Sequence, residues 1–206
     1  VGANEASREE ATNAVEGARS ELQAAKVDLF SIIVNRADPE LRESIEKNVK
    51  LGEHKFPVYV LPEIADLGKP TIAEVVAALK LDGSHLSQED LGRDINEIKI
   101  AAMTVSNFLN QFADGDFVIV PGDRADVVAA TLASALSPTF PAPSGMLLTG
   151  GLNNLPGNNT AVGSLLESAP FPVLSTDRDT FKSARAVSRV HGTVINGQAR
   201  KLASAF

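Results

Sequence analysis

Residues 117–124 of this chain read FVIVPGDR, and this stretch decides the fold class. Its first four residues are apolar and mostly β-branched, which is typical of a strand buried on both faces of a parallel sheet. The Pro-Gly-Asp that follows predicts a tight turn, and residues 125–136 then carry apolar side chains almost all round a buried helix. A strand followed at once by a helix is the repeating unit of an α/β fold.

The same alternation runs through the rest of the chain. Apolar runs at 29–34 and 57–61 predict two further buried strands, and GMLLTGG at 145–151 predicts another that ends in glycine. The capping signals Asp38-Pro39 and Pro70-Thr71-Ile72-Ala73-Glu74 each predict the start of a helix. Because strands that alternate with helices are joined by right-handed crossovers, we predict α/β units of three layers, each with a parallel sheet.

The uneven charge along the 206 residues indicates two units. Residues 1–91 contain 17 acidic and 10 basic side chains, whereas residues 92–206 contain nine of each, so the first segment accounts for the whole net charge of −7. Helical periodicity stops in the polar stretch 82–92. We therefore predict one domain over 1–91 and a second over 92–206.

The composition excludes several classes of protein. Cysteine is absent, which excludes disulfides, thiolate metal sites and a cysteine nucleophile, and makes a reducing cytoplasm the expected location. No apolar run approaches the ~18 residues of a membrane span, and the polar residues 1–5 do not read as a signal peptide. With a net charge of −7, neither nucleic acid nor an anionic membrane is an expected partner.

Two glycine-bearing turns form the candidate ligand site. Parallel sheets bind ligands beyond the carboxyl ends of their strands, where helix N-termini and exposed amides attract anions. Asp123 is expected to cap the following helix, and Arg124 either binds an anion or pairs with a nearby aspartate. A purely structural role in turn and cap is the alternative. The candidate residues are Gly122, Asp123, Arg124, Thr149, Gly150 and Gly151.

A basic stripe is a second candidate for binding. The pattern predicts a helix that is capped by Thr176 and has Asp179 in its first turn. Four cations spaced four, three and four residues apart would then share one face of that helix. Such a face either binds phosphate groups or an acidic partner, or is simply solvated. These cations are Arg178, Lys182, Arg185 and Arg189.

No catalytic constellation is apparent. The sequence lacks the GxGxxG, HExxH and GxSxG motifs, and its three histidines are far apart, so we predict neither catalytic residues, a metal site nor a cofactor. Gly68-Lys69-Pro70-Thr71 hints at a phosphate loop, but Glu63 stands where the first glycine is required. We interpret this segment as the beginning of a helix.

The strings VIVPGDRADV at 118–127 and LLTGG at 147–151 together resemble the DRTGG domain, which is named for such Asp-Arg and Thr-Gly-Gly motifs. IIVNR at 32–36 and LGKPT at 67–71 resemble the back half of the dethiobiotin-synthetase-like P-loop domain. This tandem is similar to the amino-terminal region of long-form bacterial phosphate acetyltransferases. We accordingly expect a P-loop-like half-domain, truncated at its front, followed by a DRTGG domain.

The resemblance implies a regulatory role. In that family, acetyl transfer between acetyl-CoA and acetyl phosphate belongs to a carboxyl-terminal domain, which we expect to be the missing partner of this non-catalytic region. It also implies a homo-oligomer that senses an anionic metabolite or adenine nucleotide, with Asn35 at the position that reads adenine in P-loop relatives. Two alternatives stay open: a structural oligomerisation module, and a fragment of an ATP-dependent ligase of the dethiobiotin synthetase type.

Overall fold

The structure is a computed structural model, which describes residues 8–38, 57–151, 160–193 and 201. The chain divides into two compact units, Val1–Ala65 and Asp66–Phe206. This boundary lies earlier than the expected one after Leu91. The reason is that the helix Ile72–Leu79 packs its buried face into the apolar core of the second unit.

The first unit contains one helix and one pair of parallel strands among its described residues. They are α1 (Arg8–Ala24), β1 (Ile32–Ala37) and β2 (Val58–Pro62). The parallel pairing was predicted from the alternation of apolar runs with helical segments. The helix expected after Asp38-Pro39 lies outside the described residues.

The position of β1 corrects the prediction of a buried strand over 29–34. The strand begins at Ile32, where pairing with Val58 starts, and Phe30 is 83% exposed. Ile33 and Tyr59 lie opposite each other across the pair and are 50% and 54% exposed. The expectation that both faces of these strands are buried is therefore wrong, because the apolar run alone did not specify which neighbours would cover it.

Helices and strands alternate in the rest of the chain, as predicted. In order, the elements are α2 (Ala65–Gly68), α3 (Ile72–Leu79), α4 (Gln88–Leu91), β3 (Ile98–Ile100), α5 (Val105–Gln111), β4 (Phe117–Pro121), α6 (Ala125–Leu136), β5 (Gly145–Thr149), α7 (Ala161–Leu166), β6 (Val173–Ser175) and α8 (Thr180–Val187). The four strands form one parallel sheet in the order β3-β4-β5-β6.

Helices cover both faces of this four-stranded sheet. Val118 and Val120 of β4 point to the side of α5, α6 and α7, whereas Phe117 and Ile119 point to the side of α3 and α8. All four side chains are fully buried. A central strand covered on both faces must be apolar throughout, which explains the continuous FVIV run and confirms the α/β fold with a parallel sheet.

Helix α6 is less buried than its sequence predicted. Val127, Val128 and Leu132 pack against the sheet, but Ala129 is exposed and Leu136 is 60% exposed. The expectation of burial all round is therefore wrong. Alanine is tolerated in either environment because its small side chain exposes little apolar area.

The predicted capping box at the start of α3 is confirmed. The backbone N–H and the hydroxyl of Thr71 donate to Oε2 of Glu74 at 2.8 and 3.1 Å. The N–H and hydroxyl of Thr193, far along the chain, donate to Oε1 of the same carboxylate at 2.7 and 2.6 Å. This one side chain thus ties the segment after α8 to the beginning of α3.

A backbone contact strengthens the same junction. The N–H of Gly192 donates to the carbonyl of Gly68 at 3.0 Å, and a Cβ at Gly192 would overlap the carbonyl of Lys69. Only glycine fits this close approach. Among the described residues, none of the helices is long and apolar enough to cross a membrane.

Candidate functional site

The two turns that were predicted to form one site lie side by side. Strands β4 and β5 pair in register from Phe117 to Pro121, so that Val120 lies beside Leu148 and Pro121 beside Thr149. The N–H of Gly122 donates to the carbonyl of Thr149 at 3.0 Å. The loops 121–124 and 149–151 therefore meet at one edge of the sheet, which we call the carboxyl rim.

Arg124 lies at the carboxyl rim, and its guanidinium group already forms hydrogen bonds within the chain. Its Nε and Nη2 donate to the two carboxylate oxygens of Asp126 at 2.9 and 3.0 Å, and Nη2 also donates to the carbonyl of Met103 at 3.0 Å. The hydrogen bond from Arg124 lowers the pKa of Asp126. The sequence left open an anion or an aspartate as the partner of Arg124, and the structure pairs it with Asp126.

Asp123 does not cap helix α6 as predicted. The N-cap is Arg124, whose backbone has φ −81° and ψ 62°, and no side chain bonds to the cap. Asp123 instead supplies its carbonyl oxygen, which accepts from the N–H of Ala125 at 2.9 Å. The carboxylate of Asp123 is left on the exposed surface of the turn.

Thr149 joins two elements through its buried hydroxyl. The side chain is 1% exposed, and its Oγ1 lies 2.7 Å from the hydroxyl of Thr180 and 3.4 Å from the carbonyl of Val120. A buried hydroxyl needs such partners because an unsatisfied one is costly. Thr149 thereby links the end of β5 to the first residue of α8.

Gly150 and Gly151 are required by the backbone. Their φ angles are +90° and +67°, which side chains other than glycine rarely adopt. The N–H of Gly150 donates to Arg178 O at 2.9 Å, and that of Gly151 to Thr176 O at 3.1 Å. The prediction that exposed backbone amides bind an anion is therefore wrong for Gly150 and Gly151, because both N–H groups already donate to carbonyls of the chain.

The predicted cap of the last described helix is also corrected. The N-cap is Asp179, whose carboxylate accepts from the N–H of Lys182 at 2.8 Å. The hydroxyl of Thr176 accepts from the N–H of Arg178 at 3.3 Å, which forms a local turn before the helix. Asp179 therefore begins the helix three residues later than expected.

This later start breaks up the basic stripe. Lys182 and Arg185 lie on α8, whereas Arg178 precedes the helix and Arg189 follows it. All four side chains are exposed. Nζ of Lys182 lies 2.9 Å from the Asp179 carboxylate. The expectation of four cations on one helix face is wrong, although the exposure of the cations agrees with a solvated surface.

Asn35 lies in the first unit at an irregularity of β1. The pairing with β2 shifts between Val34 and Ala37, and Arg36 has a left-handed φ of +59°. Oδ1 of Asn35 accepts from the N–H of Arg36 at 3.0 Å, which supports that unusual backbone. Asn35 is exposed, and its contact with an adenine base stays a prediction.

A cavity of about 510 Å³ lies at the opposite edge of the four-stranded sheet. Its walls come from the segments that lead into β3, β4 and β5, so we call it the amino-rim cavity. Sequence reasoning did not select any residue there as a ligand contact. The polar lining includes Lys69, Arg93, Asn96, Asp114, Ser144 and Lys201.

Comparison with known proteins assigns the family. The DRTGG domain family model matches residues 74–190, more than half of the chain. The chain belongs to the DRTGG domain family. Both rims of the sheet contain residues of this match, and the DRTGG motif residues themselves lie at the carboxyl rim.

Curated relatives of this DRTGG chain are phosphate acetyltransferases. The chain is 36% identical over 192 residues to the enzyme of Nitratidesulfovibrio vulgaris, an alignment that covers 87% of the chain and 26% of the relative. It is 25% identical over 171 residues to the enzyme of a Synechocystis species, covering 79% of the chain and 23% of the relative. The chain thus spans about a quarter of the length of these relatives.

A solved structure also matches the DRTGG chain. It contains the CBS and DRTGG domains of the regulatory region of Clostridium perfringens pyrophosphatase, complexed with its activator diadenosine tetraphosphate. The TM-score is 0.45 at 13% identity, and the match covers 88% of this chain and 73% of that one.

One sequence signal pointed near the cavity of the DRTGG domain. The segment 67–71 was noticed for its Gly-Lys pair, but was interpreted only as the beginning of a helix. Lys69 lines the cavity, and Thr71 forms the capping box of α3. No local sequence pattern marks the other residues that line the cavity.

Proposed function

We propose that this chain is a non-catalytic regulatory region of a bacterial phosphate acetyltransferase, an enzyme that converts acetyl-CoA and phosphate into acetyl phosphate and CoA. The observation that carries the proposal is the match to phosphate acetyltransferases over about a quarter of their length. Acetyl transfer is then assigned to a carboxyl-terminal part of the parent protein. The proposed setting is the bacterial cytoplasm, and the proposed assembly is a homo-oligomer.

The regulatory signal that we propose is an anionic metabolite or adenine nucleotide bound at the carboxyl rim. Arg124 would hold its anionic group, with Gly122, Gly150 and Gly151 shaping the loops. The ion pair of Arg124 with Asp126 is accessible to solvent, since the side chains are 31% and 54% exposed. Ion pairs this exposed to solvent are weak, so a ligand carboxylate or phosphate can replace Asp126 at little cost.

A second candidate is a structural module that packs on the catalytic domain or forms the oligomer. It is favoured by the hydrogen bonds of the carboxyl rim itself. The amides of Gly122, Gly150 and Gly151 donate to carbonyls of the chain, and the hydroxyl of Thr149 pairs with that of Thr180. In this alternative, the motif residues serve only to hold neighbouring loops together.

Isothermal titration calorimetry distinguishes the two candidates. The chain is titrated with adenine nucleotides, NADH, pyruvate and phosphoenolpyruvate. The regulatory site predicts binding that Arg124→Ala abolishes and that Asp126→Asn retains or strengthens, because the second variant releases the guanidinium. Lys80→Gln removes an exposed cation that belongs to neither candidate site and is the matched control. No heat with any ligand at millimolar concentration favours the structural module.

The non-catalytic assignment has its own test. Acetyl phosphate and CoA are incubated with the purified chain, and acetyl-CoA is measured. We expect none above the protein-free background. Formation of acetyl-CoA in proportion to the concentration of the chain would contradict the assignment of acetyl transfer to another domain.

A further inference from the structure

We propose that the amino-rim cavity binds a small phosphorylated sugar, whose phosphate group contacts Lys69, Arg93 and Lys201. This site lies at the opposite edge of the sheet from the carboxyl rim and does not depend on the proposed function. It is built entirely from residues of the second unit.

The walls of the cavity are held by backbone hydrogen bonds between successive segments. The N–H of Asn96 donates to Gly115 O at 3.0 Å, and the N–H of Gly115 donates to Ala142 O at 2.8 Å. The N–H of Ser144 donates to Asp116 O at 2.9 Å. These bonds place the turns before β3, β4 and β5 side by side. A wall preorganised in this way lowers the ordering cost of binding.

Three cations and two carboxylates, Asp94 and Asp114, line the cavity, which leaves its wall with a small excess of positive charge. Lys69, Arg93 and Lys201 line a single space, although the chain has a net charge of −7. Lys201 is only 3% exposed, and its Nζ donates to Lys69 O at 2.6 Å and lies 3.9 Å from Oε2 of Glu74. Burying an ammonium group in a cavity wall is costly. A bound dianion would offset part of that cost.

Ser144 provides an independent observation that points to a ligand. It lines the cavity and is 5% exposed, and its Oγ has no hydrogen-bond partner within the described part of the chain. A buried hydroxyl without a hydrogen-bond partner destabilises the folded chain. An oxygen of a ligand in the cavity would satisfy it.

The other lining groups indicate the class of the molecule. The cavity volume of about 510 Å³ lies in the range of small-molecule sites. Asn96, Asp94 and Asp114 add amide and carboxylate oxygens, which are acceptors for hydroxyl groups. None of the described lining residues carries an aromatic ring on which a base could stack. Cations beside hydroxyl acceptors therefore match a phosphorylated sugar rather than a nucleobase.

Isothermal titration calorimetry with ribose 5-phosphate tests the proposal. Ribose and inorganic phosphate are titrated separately for comparison. We expect ribose 5-phosphate to bind and ribose alone not to bind. Lys69→Met and Arg93→Ala should each weaken binding by about tenfold or more, equivalent to about 1.4 kcal/mol. Ser144→Ala should weaken it by a smaller factor. Lys80→Gln again serves as the control, because it removes an exposed cation that does not line the cavity.

Nuclear magnetic resonance of the same titration locates the ligand and verifies that each variant is folded. The amide signals of Gly115 and Ser144 should shift, and those of Gly150 and Gly151 should not. Failure of the folded chain to bind ribose 5-phosphate at millimolar concentration would overturn the proposal. Equal affinity for inorganic phosphate would overturn the assignment of a sugar.

The variant Arg124→Ala separates this proposal from the regulatory site. Ribose 5-phosphate binding should be unaffected by this change if the ligand occupies the amino-rim cavity. Binding that requires Arg124 but not Lys69 or Arg93 would overturn the cavity site and leave the carboxyl-rim site standing. If Arg124→Ala abolishes metabolite binding and leaves ribose 5-phosphate binding intact, the two sites are independent and both proposals are supported. If the wild-type chain binds ribose 5-phosphate but none of the other metabolites, the carboxyl-rim site is overturned and the cavity site stands.

Discussion

Glu74→Gln should destabilise the second unit strongly and in a pH-dependent way. The carboxylate accepts two hydrogen bonds from Thr71 and two from Thr193. Glutamine keeps one oxygen and presents an amide nitrogen to the other pair of donors, so about two bonds are lost. Because hydrogen bonds to a charged group contribute about 1.5–3 kcal/mol each, and some relaxation follows, we expect a loss of about 2–4 kcal/mol at pH 7.

The pH dependence follows from the pKa of Glu74. Burial raises the pKa, but the hydrogen bonds from Thr193 and Thr71 and the charge of Lys201 outweigh it, so the pKa lies below its usual value. The carboxylate therefore stabilises the fold fully above its unfolded pKa of about 4.5. That contribution is lost as the pH falls through the lower folded pKa. The difference between the wild type and the variant should shrink on acidification.

Urea denaturation followed by the methyl NMR signals of Ile119 and Leu147 measures this effect. Both residues are fully buried in the second unit, so they report its unfolding specifically. Glu89→Gln, at an exposed position of α4, is the control and should change the free energy of unfolding by less than about 0.5 kcal/mol. A loss below about 1 kcal/mol at pH 7, or one that does not shrink towards acid pH, would refute the reasoning.

Three further substitutions test other parts of the second unit. Gly145→Ala should cost about 1–3 kcal/mol in urea denaturation, because the new Cβ would lie 2.8 Å from Cδ1 of Ile72; an unchanged stability would contradict this close packing. Burial raises the pKa of Asp116, so protonation should stabilise the fold as the pH falls through the folded pKa. Asp116→Asn should remove that gain from a pH series of unfolding free energies, and a persistent gain would assign it to another group. Asp179→Ala should lower the melting temperature in thermal denaturation through loss of the N-cap bond from the N–H of Lys182, whereas no change would show that the cap is dispensable.

The central sheet could be predicted from sequence because its signals are local. The runs 117–120 and 145–148 are apolar at every position, as both faces of each strand require. The order of strands along the chain also matches their order in the sheet. The adjacency of the two DRTGG motif loops followed directly from this parallel pairing.

The errors arose where tertiary partners decide the outcome. The apolar run 29–34 did not reveal that β1 begins only where it meets Val58, or that Phe30 would be exposed. Thr176 and Asp179 both suit a cap, and only the backbone path selects Asp179. The role of the rim glycines depended on carbonyls from another loop, which accept from the amides that were expected to be open.

The amino-rim cavity could not be predicted for a similar reason. Its polar lining brings together Lys69, Arg93, Ser144 and Lys201, which are scattered over most of the second unit. Sequence motifs record neighbours along the chain, whereas these side chains become neighbours only through the crossovers of the sheet. Reasoning from strand order located the carboxyl rim, but no comparable pattern marked the opposite edge.

The segments that enter and leave the DRTGG domain lie side by side. They are joined by hydrogen bonds from Gly192 to Gly68 and from Thr193 to Glu74. Because its two ends are adjacent, such a domain can be inserted into a longer protein without separating the segments on either side of the insertion point.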